Sequence, residues 1–146
     1  MALQQVLAKY LPPPPPEPAP PTVMAPPAVQ FTRAAGLLAN LATLVNTTVT
    51  GEVQIKSQEM YNQSYGFIMY SHPLPASLPA NAVLDIDAPR DRVQVFVAGQ
   101  YFGAVYRTKP QPVNLTGAQP GGLLQLLVEN MGRINYGHGM TDPKGL

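Results

Sequence analysis

Cysteine is absent from the 146 residues of this chain, so the sequence excludes a disulfide framework and a thiolate metal site. Charge is also scarce, because charged side chains make up 12% of the residues and the net charge is +1. The few basic residues do not cluster, which argues against a surface for nucleic acid or for an anionic membrane. No run of about 18 apolar residues is present, so we predict no membrane-spanning helix.

Histidine is scarce as well, and His72 and His138 are the only two in the chain. A metal site of the zinc type needs three or four ligands, and neither histidine has companion residues at a ligand spacing. We therefore predict neither a metal site nor another cofactor. The N-terminus shows no apolar segment behind a basic start, so no secretory signal is visible and the compartment stays open.

Proline, in contrast, is abundant, and ten of the 18 prolines lie between positions 12 and 28. Because proline fixes φ and lacks an amide donor, we expect residues 12–28 to form an extended polyproline II linker. A semi-rigid spacer is the favoured interpretation, and a ligand for aromatic-lined proline-binding domains is the alternative. Residues 1–11 carry apolar side chains at the spacing of one helical face, which predicts a short helix.

The residues between this linker and position 65 have a mixed pattern. Val29 and Phe31 suit the beginning of a strand. Residues 37–45 have leucines at helical spacing, and we predict a short helix that ends at Asn46. Residues 47–55 are rich in β-branched side chains, which favour an extended strand.

From residue 65 onward, short apolar stretches alternate with turns rich in glycine and proline. Val93, Val95 and Val97 lie on one face of a predicted strand, and that face is aliphatic throughout. Residues 98–100 are expected to form a tight turn into a second strand over residues 101–107. Further strands are predicted at residues 66–70, 83–87, 113–115 and 123–129.

The order of these elements indicates the fold class. A parallel α/β fold would require helical patterns between the strands, and there are none. Short strands at this spacing are typical of a jelly-roll β-sandwich. We therefore predict an all-β domain over residues 29–146, preceded by a short helix and the proline-rich linker.

The last predicted strand runs into a turn, residues 130–137, that is rich in asparagine, glycine, arginine and tyrosine. Arg133, Asn135 and Tyr136 supply an aromatic face and planar polar groups on this one turn. An aromatic face and planar polar groups can together hold a polar ligand, so we predict these three as substrate-binding residues. The alternative is a structural turn in which Tyr136 packs on the sandwich and Arg133 forms an ion pair.

Three sequons for N-linked glycosylation begin at Asn46, Asn62 and Asn114. The motif is short enough to arise by chance in a chain rich in asparagine and threonine. Glycosylation at these residues and a chance origin of the motif therefore both stay open.

Five segments carry motifs that occur together in one enzyme family. Residues 126–137 read LLVENMGRINYG, and residues 59–70 read EMYNQSYGFIMY. Residues 91–99 read DRVQVFVAG, residues 114–117 read NLTG, and residues 144–146 read KGL. In order and spacing these segments resemble the β-galactosidases of glycoside hydrolase family 35.

The resemblance implies an enzyme that cleaves terminal β-galactose with retention, using one glutamate as acid/base and another as nucleophile. In the family both glutamates lie on a TIM barrel that precedes the matching region, so no catalytic residue is expected here. Residues 1–11 would be the last helix of the catalytic module, and residues 29–146 a galactose-binding-like jelly roll without its last strand. The barrel and a second β domain would be its partners and galactosides its ligands, in a lysosomal, vacuolar or secreted enzyme.

The acidic residues of this chain do not suggest a catalytic pair. Asp85 and Asp87 share one face of a predicted strand and suit a solvated edge. Glu129 follows an apolar run, and we expect it to accept hydrogen bonds from turn amides. Asp91 is expected to hold a turn by capping and by an ion pair with Arg92.

The sequence therefore predicts a non-catalytic accessory domain that braces a β-galactosidase barrel, lines one wall of its pocket and is inactive alone. A stand-alone carbohydrate-binding module of lectin type is the alternative. A third reading is a truncated product whose proline-rich segment recruits a partner.

Overall fold

The computed structural model describes residues 2–12 and 15–146, which divide into two compact units after Ala35. The first unit begins with helix α1, Ala2–Leu7, so the predicted N-terminal helix is confirmed over part of its length. The described part of the proline-rich segment contains neither helix nor strand, and it is exposed. The strand predicted at Val29 and Phe31 is wrong, because these residues pair with no neighbouring strand and Phe31 is 92% exposed.

The second unit begins with a short helical segment, as predicted. A 3-10 helix, Leu38–Asn40, leads into helix α2, Leu41–Leu44. The strand predicted at residues 47–55 is wrong, since this stretch has no regular structure and Val53 is 97% exposed. β-Branched side chains favour strands only where a partner strand and a packing surface are present. None of the helices in the described part of the chain combines the length and hydropathy that crossing a membrane requires.

Six antiparallel strands form the rest of the second unit. They are β1 (Gly66–Pro73), β2 (Val83–Leu84), β3 (Arg92–Val97), β4 (Gln100–Tyr106), β5 (Val113–Asn114) and β6 (Leu123–Asn130). One sheet has the strand order β1-β6-β3-β4, and the other contains β2 and β5. This arrangement confirms the predicted all-β sandwich, although β2 is shorter than predicted and excludes Asp85 and Asp87.

The core lies on one face of the larger sheet. Val93, Val95 and Val97 of β3 are all buried, as their alternation in the sequence predicted. Their partners across the β3–β6 ladder are Val128, Leu126 and Leu124, which are buried as well. Apolar side chains therefore face apolar side chains along the two central strands, and this pairing fixes the register.

A two-residue loop, Ala98 and Gly99, joins β3 to β4 and confirms the predicted hairpin. Both residues have positive φ values, 48° for Ala98 and 80° for Gly99. Positive φ at both central positions matches the right-handed twist of the flanking strands.

The C-terminal residues of the chain fold back against the edge of the sandwich. Gly145 and Arg90 exchange two backbone hydrogen bonds, of 2.9 and 3.0 Å. The carbonyl of Lys144 accepts a hydrogen bond of 2.7 Å from the amide of Gln58. These contacts bring residues 57–59 and 144–146 beside the end of β6, where the candidate site lies.

Candidate functional site

The candidate site is the segment that leaves β6, residues 131–137, which we call the β6 loop. It has no regular structure and ends at a 3-10 helix, His138–Thr141. The predicted site residues Arg133, Asn135 and Tyr136 all lie on it and are all exposed. Tyr136 is 88% exposed, so the packing of this ring on the sandwich, one part of the structural alternative, is wrong. The other part, an ion pair of Arg133, is present.

Arg133 differs from the other two predicted residues, because its guanidinium already has a partner. Its Nη2 donates to Oε1 of Glu59, which begins the 3-10 helix Glu59–Tyr61. The backbone amide of Lys144 donates to both oxygens of the same carboxylate, at 3.1 and 3.0 Å. Burial acts to raise the pKa of Glu59, but the hydrogen bonds from Arg133 and Lys144 outweigh it and lower the pKa to about 2.

A second carboxylate, that of Asp91, lies beneath the first residues of the β6 loop. Its Oδ1 accepts a hydrogen bond of 2.9 Å from Arg107, which follows β4. Its Oδ2 accepts 2.6 Å and 3.0 Å hydrogen bonds from Lys144 Nζ and the Met131 amide. Burial acts to raise the pKa of Asp91, but the hydrogen bonds from Lys144 and Arg107 lower it below its ordinary value.

Lys144 is the most deeply buried cation of the site. The residue is 2% exposed, and its Nζ lies between the Asp91 carboxylate and the carbonyl oxygen of Gly132, 2.7 Å away. A buried ammonium is stable only when it is paired and hydrogen-bonded, and both conditions are met here. The ion pair is therefore joined directly to the backbone of the β6 loop.

Arg107 extends the ion pairs toward the C-terminus. Its Nη2 donates to Oδ2 of Asp142 at 2.6 Å, so one guanidinium joins Asp91 and Asp142. Nε of Arg90 lies 3.3 Å from the same Asp142 oxygen but without the geometry of a hydrogen bond. The result is a charge network that ties β4 and residues 142–144 to the base of the loop.

Two predicted roles of charged side chains are corrected by this arrangement. The side chain of Asp91 pairs with Arg107 and Lys144 and not with Arg92. Arg92 instead donates to Glu129 at 3.2 Å, because the β3–β6 register places the two residues opposite each other. The Glu129 side chain therefore forms a cross-strand ion pair instead of capping turn amides.

The two carboxylates at the base of the β6 loop differ from the general acid of a glycosidase. A retaining hydrolase needs a general acid with a raised pKa, whereas the pKa values of Glu59 and Asp91 are lowered. Asp85 and Asp87 are exposed beyond the end of β2, as expected of a solvated edge. Among the described residues, no group of histidine, aspartate and glutamate side chains could hold a metal ion.

An open cleft of about 350 Å³ runs beside the base of the loop. It is lined by Asp91, residues 106–108 and residues 131–134. Arg133 therefore borders this cleft, but Asn135 and Tyr136 do not line it. The structure places the three predicted residues on one loop without bringing them into one pocket.

Sequence reasoning missed two buried polar residues that shape the site, Gln58 and Lys144. Gln58 is fully buried, and its Oε1 accepts a hydrogen bond of 3.0 Å from the side chain of Asn130. Hydrophobic periodicity marks buried apolar residues only, so neither residue gave a signal of that kind. The available signal was their position, because Gln58 directly precedes the motif segment 59–70 and Lys144 begins the motif segment 144–146.

The three sequons lie on the surface. Asn46, Asn62 and Asn114 are all exposed. Oδ1 of Asn114 accepts hydrogen bonds of 2.8 and 2.6 Å from the amide and hydroxyl of Thr116. Exposure is required for a glycan, and glycosylation at these residues stays a prediction.

Comparison with known proteins finds the same family that the motifs suggested. Residues 56–146 match the family model described as "Beta-galactosidase, first all-beta domain". The Beta-galactosidase of Felis catus is 44% identical over 92 residues, which cover 58% of this chain and 13% of the feline protein. That of Homo sapiens is 42% identical over 92 residues, with the same shares. Beta-galactosidase 1 of Dictyostelium discoideum is 29% identical over 171 residues, covering 99% of this chain and 25% of that protein.

The match includes the whole site. Residues 56–146 contain Glu59, Asp91, Lys144 and the β6 loop, so the ion-paired base of the loop belongs to the shared domain. The chain spans 13% of the length of the feline and human proteins. The family predicted from the motifs is thus confirmed, and this chain belongs to the family of the first all-beta domain of β-galactosidases.

Proposed function

We propose that this chain acts as a non-catalytic accessory domain of a β-galactosidase, an enzyme that hydrolyses terminal β-D-galactosides. The β6 loop is the observation that carries the proposal. Its base is held by ion pairs, whereas Asn135 and Tyr136 are exposed beyond that base. An aromatic ring and a planar amide on one exposed loop are suited to forming the wall of a sugar pocket.

The partners in this proposal are the catalytic TIM barrel and the second β domain of the same enzyme. The much greater length of the curated relatives is consistent with further domains beside this one. Residues 1–11 would be the last helix of the catalytic module, and residues 12–28 would be the linker between that module and the β-sandwich. Hydrolysis would stay with the two glutamates of the barrel, because Glu59 and Asp91 are held as anions by cationic partners.

The substitution Tyr136→Ala tests the pocket role in the intact β-galactosidase that contains this domain. Loss of one stacking ring should lower kcat/KM for a chromogenic β-galactoside about tenfold. Tyr65→Ala is the matched control, since Tyr65 is 81% exposed but lies outside the β6 loop, and its kinetics should not change. Unchanged kcat and KM in the Tyr136 variant would reject the pocket role.

A lectin-type module is the second candidate, and the exposure of Tyr136 favours it to a limited extent. A ring that is 88% exposed beside a free amide can contact a sugar without help from another domain. The two proposals differ in one property, which is whether the isolated chain binds galactose.

A further inference from the structure

We propose that Glu59, Arg133 and Lys144 are positioning residues, which fix the base of the β6 loop. Asn135 and Tyr136 are thereby presented to a galactoside in one position and orientation. The inference rests on the proposed function and deepens it. It also changes the role of Arg133, which was predicted to contact the sugar.

Glu59 holds the loop from one side. Its carboxylate accepts from the Arg133 guanidinium and, with both oxygens, from the Lys144 amide. One anion thus joins the β6 loop to the C-terminal segment, although Arg133 and Lys144 are separated by ten residues of chain. Because the guanidinium of Arg133 is held by Glu59, contact with a sugar is left to Asn135 and Tyr136.

Lys144 and Asp91 hold the loop from beneath. Lys144 Nζ donates to the Gly132 carbonyl at 2.7 Å, and the Met131 amide donates to Asp91 at 3.0 Å. Two consecutive residues of the loop are therefore bonded through their backbones to a buried ion pair. Such bonds fix the direction of the chain whatever side chains follow.

The conformation of Gly132 adds a third restraint. Its φ is 102°, a value that residues other than glycine rarely adopt. Its amide donates at 3.0 Å to Oδ1 of Asn130, and Nδ2 of Asn130 donates to the buried Gln58. The turn that aims the loop is thus set by the backbone and by buried polar partners.

The residues beyond Arg133 contrast with this base. Asn135 is exposed and Tyr136 is 88% exposed. Restraint of the base combined with exposure of the tip is the arrangement expected of a loop that presents side chains to a ligand in a fixed geometry.

Loop order in the 146-residue chain provides the first test. We would measure backbone ¹⁵N relaxation and amide exchange for Met131, Gly132 and residues 134–137. Arg133→Ala should speed exchange of the Met131 and Gly132 amides about tenfold or more and increase motion at the tip, because the bond to Glu59 is lost. Arg133→Lys keeps a cation and should restore most of the order.

Two further variants complete this test. Glu59→Gln keeps an acceptor for the Lys144 amide but removes the charge, and it should loosen the loop like Arg133→Ala. Glu52→Gln is the matched control, because Glu52 pairs with Lys56 at 2.7 Å outside the loop and should leave its order unchanged. Loop order that is the same in all variants, with the sandwich still folded, would overturn the inference.

Kinetics of the intact enzyme separate this inference from the proposed function. If Arg133 acts through Tyr136, Arg133→Ala should lower kcat/KM, Arg133→Lys should recover it, and the double variant with Tyr136→Ala should lose no more than Tyr136→Ala alone. Fully additive losses would overturn the positioning role and leave the function intact. A loosened loop in Arg133→Ala together with normal turnover in Tyr136→Ala would instead reject the pocket role, while the restraint of the loop by Arg133 would stand.

Discussion

Lys144 and Arg133 are both cations at the base of the β6 loop, but burial gives them different energetic roles. Lys144 is 2% exposed and pairs with a buried carboxylate, so removing the Asp91 carboxylate leaves an uncompensated buried charge, at a cost of roughly 3–5 kcal/mol. Arg133 and Glu59 have side chains that are 41% and 35% exposed, and such a pair contributes about 1 kcal/mol or less. The first pair therefore stabilises the fold as well as holding the loop, whereas the second contributes mainly to the order of the loop.

The lowered pKa values at this site predict how stability depends on pH. A carboxylate with a lower pKa in the folded state stabilises the fold above its unfolded pKa, and that contribution is lost as pH falls. For Glu59 the loss should occur between its ordinary value of 4.5 and about 2, and Asp91 acts in the same direction. The melting temperature should therefore be level above about pH 5 and fall below it.

Glu59→Gln should reduce this acid-dependent loss, because the variant has no charge to titrate at that position. Thermal unfolding of the 146-residue chain followed by circular dichroism between pH 7 and pH 2 measures it. Asp85→Asn is the control, since Asp85 is exposed beyond the end of β2. A Glu59→Gln profile that runs parallel to the wild-type profile would contradict the assignment.

The two central strands, β3 and β6, carry the core of the larger sheet. Val93 and Val128 face each other in the ladder, and both are 0% exposed. Glu129, which follows Val128, pairs with Arg92 on the opposite face. Apolar contacts on one face and an ion pair on the other therefore define the same register.

Val128→Ala should lower the free energy of unfolding by about 2 kcal/mol, from lost burial of two methyl-sized groups and the cavity they leave. Val53→Ala should change it very little, because Val53 is 97% exposed. Urea unfolding of both variants makes the comparison. Equal destabilisation by the two substitutions would contradict the position of the core.

How well the elements could be predicted depends on where their stabilising contacts lie. The β3–β4 hairpin was predictable because alternation and a Gly99 turn are local signals. The irregular structure of residues 47–55 was not predictable, because β-branched residues form a strand only where a partner strand is present. The exposed loop around Tyr136 was visible as a turn, but its attachment through Lys144 depends on a contact with Asp91, 53 positions away.

For the whole molecule, the family match and the charge network support one interpretation. Residues 56–146 form the matched all-beta domain, and the chain spans 13% of the feline and human β-galactosidases. The carboxylates held by cations suit a supporting domain, whereas Asn135 and Tyr136 suit contact with a ligand. On this interpretation the domain supplies part of a pocket that is completed elsewhere in the enzyme.

Titration of the isolated 146-residue chain with galactose, followed by the amide and ring resonances of Asn135 and Tyr136, tests that interpretation most directly. Two side chains on one open loop bury too little of a sugar for tight binding, so we predict no saturation at millimolar galactose. Saturable shifts confined to the β6 loop and abolished by Tyr136→Ala would contradict it. They would show that this chain binds sugar without a barrel, as a lectin-type module does.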